Sequence, residues 1–252
     1  EPSLISGYMG TSNTLGVIDR ITPSTVIGRF FPDHFALSAS SLTDACTNFS
    51  YMEQSLPFNY TIEARSLSGT KTNNYIPAYG TMPSLVYVAE SANSGVNLGS
   101  RFVDGVTKTW ATGAVTVVPS GARFTRLSGS PFIDGPYPNT QIGITLTDSF
   151  DSRVLKNLDM NAATSGTCSG ATCTAKVLGA AINIRYGRLR LDDAFGPETV
   201  NLPVSFYTEY WLGNRFVKNQ DDSCTKILRS AISYPSGSIL SDANRTVALT
   251  GG

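Results

Sequence analysis

The stretch Tyr186 to Trp211, YGRLRLDDAFGPETVNLPVSFYTEYW, decides how this chain is read. Two runs of alternating residues flank the pair Asp192 and Asp193, and Gly196 and Pro197 follow closely. A period of two marks a half-buried strand, while Asp, Gly and Pro between two such runs have the composition of a turn. The stretch therefore predicts a β-hairpin with the carboxylates in its connection. In the second run Val200, Leu202, Val204 and Phe206 share the inward parity, and Tyr207 and Trp211 the outward one. Upstream, Ile182, Ile184 and Tyr186 share one face, but Leu189 and Leu191 fall on the opposite parity. Gly187 sits at the change of phase. A β-bulge there would return both leucines to the buried side and gather Arg185, Arg188 and Arg190 outside.

The same rhythm recurs toward the N-terminus in FNYTIEA (Phe58, Tyr60, Ile62, Ala64), SLVYVAES, GAVTVVP and QIGITLTD (Ile142, Ile144, Leu146). Sustained helical spacing is missing, and Gly, Pro and β-branched residues interrupt almost every window. The expected fold is all-β: two Ig-like antiparallel β-sandwich domains in tandem. Residues 161–175, NAATSGTCSGATCTA, are small and polar and read as a connector closed by Cys168 and Cys173. The expected organisation is an N-terminal extension over 1–27, a first sandwich over 28–160, a disulfide-closed linker over 161–177 and a second sandwich, complete or partial, over 178–252.

Of the 252 residues 41% are hydrophobic and only 15% charged, against about 25% charged in an average soluble domain. Lys plus Arg equals Asp plus Glu at 19 each, so no global field favours nucleic acid. No run approaches the roughly 18 apolar residues of a membrane span, and EPSLISGYMG lacks a basic head and an apolar signal core. Four cysteines, an even number, point with the low charge to an exported protein with disulfides. Four small or flexible residues between Cys168 and Cys173 permit their bond. Elimination then leaves Cys46 with Cys224, the alternative being that each is a free buried thiol.

Motifs for catalysis are scarce. His34 is the only imidazole and lies among aromatics in GRFFPDHFALS, and no nucleophile elbow, phosphate loop or dinucleotide fingerprint occurs. Glu63, Glu90, Glu198 and Glu209 cannot be paired across a cleft from sequence. The expectation is a protein that is not an enzyme and needs no cofactor. One exception stands as an alternative: Asp192 and Asp193 with Asp221 and Asp222 could hold Ca²⁺ if two acidic loops meet, although the EF-hand spacing is missing. Tyr207 and Trp211 offer stacking faces for sugars, with core packing as the commoner use of such rings. Asn48, Asn59 and Asn244 head NxS/T sequons, which also arise by chance.

Four longer strings carry a resemblance: IGRFFPDHFALS (Ile27 to Ser38), ACTNFSYMEQSLPFNYTIEARSLSGTKTNNY (Ala45 to Tyr75), RYGRLRLDDAFGPETVNLPVSFYTEYW (Arg185 to Trp211) and NRFVKNQDDSCT (Asn214 to Thr225). In this order they resemble a region toward the C-terminal end of MshQ-type proteins, associated with biogenesis of the mannose-sensitive haemagglutinin type IV pilus. The resemblance implies an exported bacterial protein, extracellular or at the cell surface, whose partners are pilus or other appendage subunits. It implies no catalytic residues. The MEQSLPF segment departs from the shorter MGQPF-like form of those proteins. The leading expectation is a non-enzymatic structural or adhesive component of a surface appendage; the competitor is a carbohydrate- or Ca²⁺-dependent binding module. The terminal segments SLISGYMG and RTVALTGG carry strand-like residues with little charge, which suits self-association by strand addition.

Overall fold

The computed structural model describes residues 31–129, 132–197, 199 and 203–227, so the terminal strand segments and Asn244 lie outside the described residues. Along the chain come β1 (His34–Leu42), β2 (Ser50–Tyr51), β3 (Phe58–Arg65), β4 (Ser84–Ser91), β5 (Phe102–Val103), β6 (Trp110–Ala111) and β7 (Ala114–Val117). They continue with β8 (Arg123–Phe124), β9 (Tyr137–Thr147), β10 (Lys176–Val177), β11 (Ile182–Arg185), β12 (Gly187–Leu191), β13 (Phe206–Trp211) and β14 (Phe216–Lys218). The only helices among the described residues are short 3₁₀ turns, and the protein is all-β.

One sheet has the order β1-β3-β7-β6 and is antiparallel throughout. In the second, β4 runs along one edge of β9 while β10 and β11 pair with the other, and β2 joins β11 in parallel. Alternation explains the packing. Phe58, Tyr60, Ile62 and Ala64 of β3 are buried, and meet Ile142, Ile144, Ile182 and Ile184 of the second sheet in one apolar core. Rings dominate it: Phe35, Tyr75 and Trp110 meet edge to face at 5.3–5.6 Å, and Tyr87 lies 4.9 Å from Phe102. Such pairs add about 0.5–1.5 kcal/mol each beyond area burial.

Two polar groups are locked into this apolar body. The Tyr87 hydroxyl donates to Asp104 at 2.5 Å, and burial pushes the phenol far above its usual range. The Arg101 guanidinium donates to Asp134 at 2.6 Å and to the Thr125 carbonyl at 2.8 Å, and stands 5.0 Å from the Phe124 ring centroid. Tyr137 donates to the same Asp134 carboxylate at 2.7 Å.

Residues 161–177, expected as a linker, are anchored on the second sheet at both ends, while most of 163–172 is exposed. Met160, Ala162 and Ala175 form a small buried cluster with Val88 and Val177 beside it. Gly143 of β9 makes room: a β-carbon there would stand 2.7 Å from the Met160 sulfur. The Cys168–Cys173 disulfide, with Cα atoms 5.2 Å apart, spans the 3₁₀ turn Gly170–Thr172. Strands β10 and β11 pair with β9, so the second sheet extends past residue 178 to Arg185. A separate three-stranded sheet, β12-β13-β14, follows. Its β12–β13 pairing is the antiparallel hairpin read from the opening stretch, with Asp192 and Asp193 in the connection.

Candidate functional site

Strand β2 places Tyr51 against the start of β12. Gly187 is there for its lack of a side chain, since a β-carbon would lie 2.3 Å from the Tyr51 ring. The phase change after Tyr186 predicts a bulge, but the chain instead passes from one sheet to another at this glycine. Leu189 and Leu191 consequently stay out, 47% and 59% exposed, and Phe206 on their face is 42% exposed. Val200 and Leu202 fall outside the described residues.

Around the Tyr51–Gly187 contact a polar network ties the small sheet to the larger body. The Tyr51 hydroxyl donates to Asp222 at 3.0 Å and accepts from the Asn219 amide at 2.6 Å. Asp222 also accepts from the Thr208 hydroxyl at 2.7 Å and from the backbone N–H groups of Cys224 and Thr225. Arg185, expected on an outer face with Arg188 and Arg190, lies in this seam because its planar head finds two rings there. It stands 4.5 Å from the Phe49 centroid and 4.3 Å from that of Tyr210, and donates to Asn219 and Asp221. Beside the network Cys46 and Cys224 are bonded, with Cα atoms 5.7 Å apart.

Burial pushes the Asp222 carboxyl up, but hydrogen bonds from Thr225, Thr208 and Tyr51 outweigh it and hold the group at about 2, against an ordinary 3.8. The folded value lies below the unfolded one. The stabilisation is therefore complete above about pH 4 and lost as the pH falls through about 2. Its size is about 2 kcal/mol at most, because the carboxylate is partly solvated. Urea unfolding of the wild type across this window should show the loss, and Asp222→Asn should flatten the slope. Gly187→Ala should cost about 1–3 kcal/mol by driving the Tyr51 ring off its two partners. Unchanged urea midpoints would show that the ring can move without breaking them.

The acidic pairs are used separately. Asp221 is ion-paired with Arg185 at 2.8 Å, while Asp192 accepts from the Tyr207 hydroxyl at 3.1 Å and Asp193 is exposed. Among the described residues the one group spaced to ligate a metal is Cys46, Asp222 and Cys224, whose two sulfurs are spent on each other. His34 contacts the Asp33 carboxylate at 2.8 Å, and Lys156 approaches the same carboxylate at 3.2 Å. Glu63 pairs with Arg65, Glu209 with Arg188, Glu90 is buried, and Glu198 lies outside the described residues.

Tyr207 and Trp211 lie on the same face of the small sheet as Arg188 and Lys218, each half-buried. The Lys218 ammonium stands 5.0 Å from the Tyr207 centroid, and Arg188 lies 3.6 Å from that of Phe216, which meets Trp211 edge to face. The opposite face opens into a cleft of about 470 Å³ lined by Tyr51, Arg126, Leu189, Thr208, Thr225 and Ile227 among others. Composition alone did not reveal the Arg185 seam. Its signal was the arginine ending an apolar strand, INIR, with the short acidic run after NRFVKNQ to receive it.

These features define a class: an all-β protein in which the β12–β14 sheet is tied to the connection between β1 and β2 by a disulfide that follows β14 and by a partly buried polar seam. The chain belongs to the DUF6701 family, with residues 1–175 matching the DUF6701 third domain and residues 185–252 the fourth. Strands β10 and β11 fall almost wholly between the two matches. No curated protein and no solved structure matches the chain.

Proposed function

We propose that the chain is a non-enzymatic structural or adhesive component of a bacterial surface appendage, pilus-associated in the manner of MshQ-type proteins. The Cys46–Cys224 bond carries this reading. It joins a residue in the third-domain match to one in the fourth-domain match, and such bonds persist in oxidising compartments outside the cytoplasm. The resemblance of the four ordered strings from Ile27 to Thr225 to MshQ-type proteins supports the link to pilus biogenesis. Among the described residues no helix is long and apolar enough to cross a membrane. Immunogold labelling of intact cells with antibody to this chain is the test. Label along appendages is the expected result, and label seen only after permeabilisation overturns it.

A further inference from the structure

Among the described residues strand β12 is an edge and pairs with β13 alone. The phase of that ladder shows which backbone groups remain free. The Trp211 N–H donates to the Tyr186 carbonyl and the Asp192 N–H to the Ser205 carbonyl, both at 2.9 Å. Hydrogen-bonded pairs alternate along an antiparallel ladder, so Arg188 and Arg190 bond inward to β13 and Gly187, Leu189 and Leu191 turn their N–H and C=O groups outward. The Gly187 carbonyl confirms the phase, because it accepts from Arg126 at 2.7 Å. That contact closes the ladder at one end and leaves Leu189 and Leu191 as its open part.

The side chains of this edge are sorted by face. Leu189 and Leu191 stand with Phe206 on one side, all more than 40% exposed. Arg188 and Arg190 stand on the other. Arg188 is bonded to Glu209 at 2.7 Å, but Arg190 is exposed and has no ion pair among the described residues. A strand added here would set one residue opposite Arg190 on the cationic face, and its neighbours opposite Leu189 and Leu191 on the apolar one. Edge strands are ordinarily blocked by charge, proline or a cover. Within β12 both charges are arginines, Arg188 is taken up by Glu209, and Asp192 at the end of the strand accepts from Tyr207. The exposed Arg190 is therefore the charge that disfavours a basic or identical edge and admits an acidic one.

We propose that the β12 edge is a docking site for an extended partner segment that alternates acidic and apolar residues, bound by strand addition. Main-chain bonds to Leu189 and Leu191 supply affinity, while the carboxylate selected by Arg190 supplies specificity. The proposal rests on this sheet and not on the cellular location of the chain.

Titration of the full chain with labelled seven-residue peptides tests it, using Val-Glu, Val-Lys and Val-Glu N-methylated on the ladder-forming edge. The Val-Glu peptide should bind roughly tenfold or more tighter than Val-Lys. N-methylation should abolish binding, and Arg190→Glu should reverse the preference. Since Arg190 is exposed, that substitution leaves the fold intact, which an unchanged urea midpoint verifies. Equal binding of the acidic and basic peptides overturns the proposal. So does retention of affinity after N-methylation, or displacement of the peptide by a polyuronate with no effect of N-methylation, which would make the face a site for acidic glycans. Concentration-dependent dimerisation that Arg190→Glu does not affect and that excludes the peptide would assign the edge to a second copy and also overturn it.

Discussion

Serine at both Cys46 and Cys224 is expected to lower the stability of the full chain by roughly 3–5 kcal/mol. The bond links residues 178 apart in sequence. Removing a cross-link over so long a loop frees about 5 kcal/mol of unfolded-chain entropy on the simplest model, with native strain able to reduce the loss. The effect should be uneven. The polar seam of Tyr51, Asn219 and Asp222 then holds the small sheet without covalent help. Urea unfolding followed by Trp fluorescence should therefore resolve two transitions, with Trp211 reporting the earlier and Trp110, in the aromatic core, the later. Serine at Cys168 and Cys173 should cost only about 2 kcal/mol, because that bond closes a short loop. Equal losses for both double variants would refute the assignment of the long bond as the principal fastener.

Arg101→Ala should cost about 3–5 kcal/mol. The guanidinium and the Asp134 carboxylate are both nearly buried, with side chains 10% and 13% exposed. Removing one partner leaves the other charge in an apolar setting with only the Tyr137 hydroxyl for company among the described residues, and stranding one member of a buried pair costs about 3–5 kcal/mol. The double substitution Arg101→Met with Asp134→Asn should recover most of this, since an apolar replacement near Phe124 and Tyr137 no longer strands a charge. Thermal or urea unfolding of the single and double variants measures the difference. A double variant no more stable than Arg101→Ala would place the cost in lost packing.

The strands were legible where one face is dry. Phe58, Tyr60, Ile62 and Ala64 alternate because β3 lies between two neighbours over one core, and the period of two records that directly. Ile182 and Ile184 were legible for the same reason. The change of sheet at Gly187 was not, because a shift in parity looks the same whether it comes from a bulge or from a strand leaving its sheet. Nor did sequence reveal that the small polar stretch after Met160 covers the second sheet. Its buried contacts are two alanines and a methionine, too few to impose a period. Among the site residues the cysteine pairs could be proposed from spacing and elimination. The partners of Asp221 and Asp222 could not, since Arg185 and Tyr51 lie 36 and 171 residues away in sequence.

The bond between Cys46 and Cys224 also alters how the molecule transmits a pull. Tension entering before Cys46 and leaving after Cys224 crosses two sulfur atoms and bypasses nearly everything between them. The 178-residue span, roughly 600 Å when drawn out, is hidden length that cannot pay out while the bond is intact. Hydrogen bonds of the sheets between the two cysteines therefore carry almost none of the force, however weak they are one by one. In single-molecule stretching an oxidised chain should lengthen only by the segments outside the loop, and a reductant should release the stored contour in a separate step.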